Sequence, residues 1–338
     1  MPRMNDTSGA STLAKLLLIG DGKLGKTYYA ALAAKAGFNV LYLDGDVGAA
    51  TISSMVKSGA LTSDEASRIY LLDIRDTIMG GMRDTKMTES IDELFSSIVV
   101  RWNDTLQRMA KRNDTGEIWE LRLGKMGQND LLIVDSWTGY TDSLMLAVAR
   151  ANNVDISTAK TPEMRPVYQG ASLKATQTLQ VIRSVPCHVI VIAHPDEYSH
   201  MTNPEGRKVG AINEKDKTID WTKMIPKTTS KPQGLLMSKY FTDVAWIELS
   251  PDGKERRLNF KPKNDRVSGG HFDDIKSIEE YSFANLVKQI GGRLPDGEGP
   301  AWISITTVDA PTQADEKILD GTTPSAVQGM SGMFSKSK

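Results

Sequence analysis

The eight residues Gly20-Asp21-Gly22-Lys23-Leu24-Gly25-Lys26-Thr27 constrain this chain more than any other stretch. They follow an apolar run, Lys15–Ile19, and open an Ala-rich segment, Lys26–Ala36, that Gly37 closes. Strand, glycine-rich turn and helix in that order fit G-x-x-x-x-G-K-[ST], in which backbone N–H groups and the positive end of a helix dipole wrap a polyphosphate. Lys26 is expected to reach the β- and γ-phosphates, and Thr27 to hold Mg2+ through its hydroxyl. Residues Gly20 to Tyr28 are thus the expected contacts of a nucleoside triphosphate.

Further apolar runs, Val40–Leu43, Ile69–Leu72, Leu131–Val134 and His188–Ala193, alternate with helical periodicity over 88–112, 143–152 and 168–183. Strands separated by helices predict βαβ crossovers and a mostly parallel, buried sheet. Residues 195–234, rich in Pro, Gly, Asn, Thr and Lys, read as a long mobile loop. Asp243–Leu249 and Arg256–Lys261, joined by Ser-Pro-Asp-Gly, read as a hairpin, and 277–290 as a last helix. The expected fold is a three-layer α/β domain over 13–290 with a C-terminal β-hairpin. A disordered lead (1–12) and a largely disordered tail (291–338, with one short strand at 302–306) flank it.

Composition narrows the function classes. The 338 residues carry 41 Lys+Arg against 42 Asp+Glu, a net charge of −1, which argues against a globally basic nucleic-acid coat but is silent about local patches. A lone cysteine, Cys187, excludes a disulfide framework or a multi-cysteine metal site and fits a reducing compartment. The apolar runs fall far short of the roughly 18 residues of a membrane helix, and the polar N-terminus lacks a secretory core, so a cytoplasmic protein is expected.

Two acids mark the sheet's C-terminal edge. Leu131-Leu-Ile-Val-Asp135-Ser136 is an apolar strand ending in a carboxylate that can position Mg2+, directly or through water. Ser136 reads as a turn residue or a helix cap. Val40-Leu-Tyr-Leu-Asp44-Gly-Asp46 delivers two more carboxylates. Asp46 is the first candidate for orienting an attacking water and Asp44 the second, against the alternative of a solvated strand end capping the next turn.

Taken in order, the phosphate loop, D-x-[DE] at Asp44 and Asp46, I-V-D-S at 133–136, a strand ending in polar His194, a long loop and a hairpin ending in basic residues resemble the RecA-type ATPase core. The resemblance covers roughly 13–290 and is nearest to minimal RecA-like ATPases of bacteriophages linked to single-strand annealing and recombination. It implies ATP and Mg2+ as cofactors, ATP hydrolysis, and a homo-oligomer with active sites at subunit interfaces. It places Asp46 where the family carries a longer catalytic glutamate. It makes His194, on a strand between the two phosphate-site strands, a γ-phosphate sensor, with a plain strand-end residue as the alternative. Lys261, Lys263 and Arg266 become candidate fingers reaching a neighbour's triphosphate, or solvated surface charges. His194 and His200 have no third Cys or His nearby to make a metal site.

The 195–234 loop falls where the family binds single-stranded DNA. Trp221 could stack a base, Lys223, Lys227 and Lys231 could meet phosphates, and so could the hydroxyls of Thr228, Thr229 and Ser230. The first half of the loop is acid-rich, and a plain loop is the alternative. Met330-Ser-Gly-Met-Phe334 reads either as a docking motif for a single-strand-binding protein or as a bland tail. Two further classes compete. Residues 41–51 also resemble the second motif of partition-type ATPases, but the lysine that class carries at the second loop position is here Asp21. A nucleotide-dependent assembly scaffold fits the same motifs with little turnover. The GTPase motif N-K-x-D is absent.

Overall fold

The computed structural model describes residues 12–79, 82–96, 100–103, 117–202, 218–262 and 264–307. In chain order the elements begin β1 (Lys15–Ile19), α1 (Lys26–Ala31), β2 (Asn39–Asp44), α2 (Gly48–Lys57), α3 (Ser63–Ala66) and β3 (Ile69–Asp73). The short strands β4 (Ile78–Met79) and β5 (Met82–Arg83) precede α4 (Lys86–Ser96), β6 (Val100–Asn103), β7 (Glu117–Leu121) and β8 (Asp130–Asp135). Then come α5 (Trp137–Ala151), α6 (Thr161–Ser184), β9 (His188–Ala193), β10 (Pro195–Thr202), β11 (Thr218–Pro226) and α7 (Lys231–Met237). Strands β12 (Asp243–Leu249), β13 (Arg256–Asn259) and β14 (Ile275–Ser277), helix α8 (Phe283–Gln289) and β15 (Ile303–Thr307) complete the series.

Eight strands form the central sheet in the order β14-β13-β12-β1-β9-β8-β2-β3. From β12 to β3 all neighbours run parallel, while β12, β13 and β14 are antiparallel. Placement of β9 between β1 and β8 is the order the RecA-type resemblance implies, and the fold is a three-layer α/β P-loop domain of that kind. The strands are apolar on both faces because both are covered. Leu16, Leu18, Ile190, Ile192, Ala245 and Ile247 pack with Tyr29 and Ala30 of α1, with Ala33 just after it, and with Phe283, Leu286 and Val287 of α8. Residues of opposite parity, such as Leu17, Val191, Leu132 and Val134, are equally buried. On the helical side α5 meets β9 and packs with α4 and α6.

The chain divides into two compact units. The first comprises Met1–Val100 with Glu120–Ser304 and contains the eight-stranded sheet; the second comprises Arg101–Trp119 with Ile305–Lys338. Among the described residues no helix is long and apolar enough to cross a membrane.

Several elements differ from expectation. The amphipathic helix expected over 88–112 ends at Ser96, and Trp102 lies in β6. The stretch read as a loop from 195 to 234 is an antiparallel arm, β10 against β11, followed by α7. Its alternation (Ile219, Trp221, Lys223, Ile225) is strand-like, but the Pro- and Gly-bearing residues of 203–217, outside the described residues, dominated the composition. The last helix is shorter because Ile275–Ser277 joins the sheet edge. Residues 291–304, read as tail, belong to the first unit: Asn39 Nδ2 donates to the Glu298 carbonyl at 3.1 Å, Asn129 Nδ2 to Asp296 at 2.8 Å, and Trp302 is fully buried. The expected lead to residue 11, the docking motif at 330–334 and Lys263 lie outside the described residues.

Candidate nucleotide site

The phosphate loop runs from the end of β1 into α1. Gly25 sits at φ +91°, a left-handed conformation that a side chain disfavours, and forms the N-cap of α1. Gly20 has no room for a Cβ, which would meet Ile247 Cγ2 at 2.5 Å. Asp21, Gly22 and Lys23 are exposed at the tip, whereas Leu24 packs on the core. Buried Lys26 donates from Nζ to the carbonyls of Gly20 at 2.8 Å and Asp21 at 2.7 Å. Burial holds its pKa below the ordinary lysine value, opposed by the charges of Asp135, Asp46 and Asp21.

Asp135 lies across the loop at the end of β8. Its Oδ2 accepts from Thr27 Oγ1 at 2.7 Å and from the hydroxyl of Tyr42 on β2. Burial raises the Asp135 pKa, with the two hydroxyls acting against it. A hydroxyl and a carboxylate side by side are hard oxygen donors that fit Mg2+, whose other positions phosphate and water can fill. Among the described residues no cluster of three or more His, Cys, Asp or Glu could hold a metal unaided.

The two carboxylates at the end of β2 and in the turn after it, Asp44 and Asp46, divide their tasks. Asp44 is fully buried and directed into its own turn: Oδ1 accepts from Gly48 N at 2.7 Å and Asp46 N at 3.3 Å, and Oδ2 from Ala49 N at 3.0 Å. These bonds hold Val47 at φ 66°, a strained conformation for a β-branched residue. Asp44 thus caps the turn after its strand, as the alternative expected, but it is buried and not solvated, and the turn it anchors presents Asp46. Asp46 Oδ2 accepts from Ser136 Oγ at 2.5 Å and lies 3.3 Å from His194 Nε2. The hydrogen bond from His194 is the largest influence on the Asp46 carboxyl and holds its pKa below the usual range, assisted by Ser136 and the His194 and Lys26 charges and opposed by burial.

His194 follows β9 directly and leads into the arm. Its N–H donates to Thr138 Oγ1 at 2.9 Å, and its carbonyl accepts from Lys227 N at 2.8 Å. The other expected residues do not gather here. Lys261 is exposed on the segment after β13. Arg266 is held inside the chain, paired with Glu248 Oε2 at 2.9 Å and stacked 5.5 Å over Trp246. On the arm, Trp221 lies 5.4 Å from the Tyr198 ring. Lys227 pairs with Asp142 at 3.0 Å and Lys231 with Asp196 at 2.6 Å, whereas Lys223 has no acidic partner among the described residues. Thr228 and Thr229 hydroxyls donate to Gln233, and Ser172 Oγ bonds Thr229 and Ser230, so these three hydroxyls have internal partners.

Two residues escaped the sequence reading. Tyr42 contacts Asp135 from the neighbouring strand; its position two before Asp44, on the same face, was the available sign. Arg256 opens β13, lies 5.6 Å over the Tyr28 ring, and has Nε 2.9 Å from where a Cβ on Gly25 would be. No local pattern links residue 256 to residue 25.

A family model described as an AAA domain matches residues 12–269. No protein among the curated sequences matches the chain. Among solved structures it is similar to a prototypical ATPase from the type III secretion system of pathogenic bacteria, at 12% identity over 71% of this chain and 51% of that one, with a TM-score of 0.36. The chain thus spans about half the length of that ATPase. It is also similar to the RadB recombinase (16% identity, 77% and 86% covered, TM-score 0.31). The flagellar accessory protein FlaH from Methanocaldococcus jannaschii is a third (10% identity, 90% and 94% covered, TM-score 0.29).

Proposed function

The chain belongs to the AAA domain family, and from that premise we propose that it is a Mg2+-dependent ATP hydrolase acting on single-stranded DNA, in the manner of the recombination and annealing ATPases it resembles. The observation that carries the hydrolase reading is the convergence of Lys26, Thr27–Asp135 and Asp46–His194 at one end of four adjacent strands, β1, β9, β8 and β2. Lys26 and the loop N–H groups bind the phosphates. Thr27 and Asp135 would hold Mg2+, which would supply charge neutralisation to the bound phosphates. Asp46 orients a water in line with the γ-phosphate; the water oxygen bonds to phosphorus as the bridge to the β-phosphate breaks, giving ADP and phosphate. A carboxylate whose pKa is held low is a weak base, so its contribution is orientation more than proton abstraction.

His194 links this chemistry to the arm, because its ring meets Asp46 while its carbonyl is bonded to Lys227. The Tyr198–Trp221 pair and Lys223 supply stacking and charge for a single strand. A nucleotide-dependent scaffold is the second reading, favoured by the internal ion pairs of Lys227 and Lys231. The test is ATP turnover with and without single-stranded DNA, alongside particle images. DNA stimulation that Trp221→Ala removes supports the first reading; assembly on ATP alone with unstimulated turnover supports the second.

A further inference from the structure

Asp46 is shorter than the glutamate of the family pattern, and an aspartate carboxyl turns easily about χ2. Its hold is therefore decided by its partners. Both hydrogen bonds from other elements fall on one oxygen, Oδ2: Ser136 Oγ at 2.5 Å from the start of α5, and His194 Nε2 at 3.3 Å from the end of β9. Among the described residues no hydrogen bond falls on Oδ1. The Ser136 hydroxyl has a single proton to give. Gly139 N donates to the same hydroxyl oxygen at 3.1 Å, which leaves that proton directed at Asp46. Ser136 is fully buried, so water does not compete for it.

Resting on the hydrolase reading above, we propose that Ser136 is a positioning residue: its hydroxyl fixes the rotation of the Asp46 carboxylate so that Oδ1 faces the attacking water. Ser136 touches neither nucleotide nor water in this arrangement and acts through Asp46 alone. The helix cap and the carboxylate clamp use the two sides of one hydroxyl, so capping alone is the competing role.

The test measures kcat and ATP Kd separately in the full-length chain. Ser136→Ala should lower kcat about 10- to 100-fold while Kd stays within about twofold, the signature of lost orientation. Ser136→Thr, which keeps the hydroxyl, should recover most of the turnover. In an Asp46→Ala background, Ser136→Ala should cause no further fall in residual turnover, because the group it positions is gone. A Ser136→Ala enzyme with unchanged kcat but a lowered unfolding midpoint overturns the proposal and leaves Ser136 as a cap. An additional loss in the Asp46→Ala background overturns it as well. Full turnover in Asp46→Ala itself instead removes the role given to Asp46, a separate failure read from a separate variant.

Discussion

The parallel strands bury polar groups at both ends, and the two ends treat them differently. At the N-terminal end every such group is closed by another. Lys15 Nζ donates to the carbonyls of Val185 and Cys187 at 2.6 and 2.7 Å. His188 Nδ1 accepts from Ala14 N at 3.0 Å while Nε2 meets the Gln128 carbonyl at 3.1 Å, and Asp130 accepts from Gly127 N and Asn39. Burial shifts these groups toward neutrality: the Cys187 thiol is pushed up to about 12 and His188 down to about 4. At the C-terminal end burial likewise moves Lys26 and Asp135 toward neutrality, but the His194 hydrogen bond holds Asp46 charged, and one Asp46 oxygen takes no hydrogen bond among the described residues. Closed polar groups hold strands together, whereas a cluster with an open acceptor is suited to a ligand.

The contrast can be broken most sharply at Lys26. Lys26→Ala should weaken ATP binding about a thousandfold, the scale of losing a buried charge-assisted contact, by calorimetry. Tight binding retained in that variant would falsify the phosphate assignment. The other end should speak through stability. An unfolded imidazole takes its proton near pH 6.5 and the folded His188 near 4, so the unfolded state binds more protons between them. Stability should therefore be full above pH 6.5 and decline as the pH falls to 4, by on the order of 3 kcal/mol, with His188→Gln flattening the slope in denaturant titrations.

The two acids of β2 separate the effects within one turn. Asp46→Asn should cut turnover about a hundredfold with an unchanged unfolding midpoint. Asp44→Ala should destabilise by roughly 1–2 kcal/mol, because it removes a cap from a strained turn. Equal unfolding midpoints in the two variants would show that Asp44 does not anchor that turn. The smallest effect is expected at Arg256. Arg256→Ala should weaken ATP binding roughly tenfold, the loss of one exposed cation and its stacking. An unchanged affinity would confine Arg256 to packing on Tyr28.

Much of the site was legible because its parts are contiguous. The strands at β1, β9 and β12 fall where their apolar runs predict, and the glycine spacing locates the loop without help from the rest of the chain. The arm was not legible as strands: β11 alternates, but β10 (Pro195–Thr202) has few apolar residues, and only the pairing of the two segments makes them a ribbon. Arg266 read as a candidate finger or a solvated surface charge, and only its neighbours Glu248 and Trp246 reveal that it is held within the chain.

By itself the sequence determined that this chain builds a phosphate loop on a buried parallel sheet and brings acids to its C-terminal edge, since strand, turn and helix propensities act over a few consecutive residues. Only the tertiary structure turned Asp44 into its own turn and left Asp46 beside His194, aimed Ser136 at Asp46, and laid Arg256 over Tyr28. Those choices are hydrogen bonds and contacts between distant elements, and a carboxylate's role depends on which donors the completed fold leaves within reach.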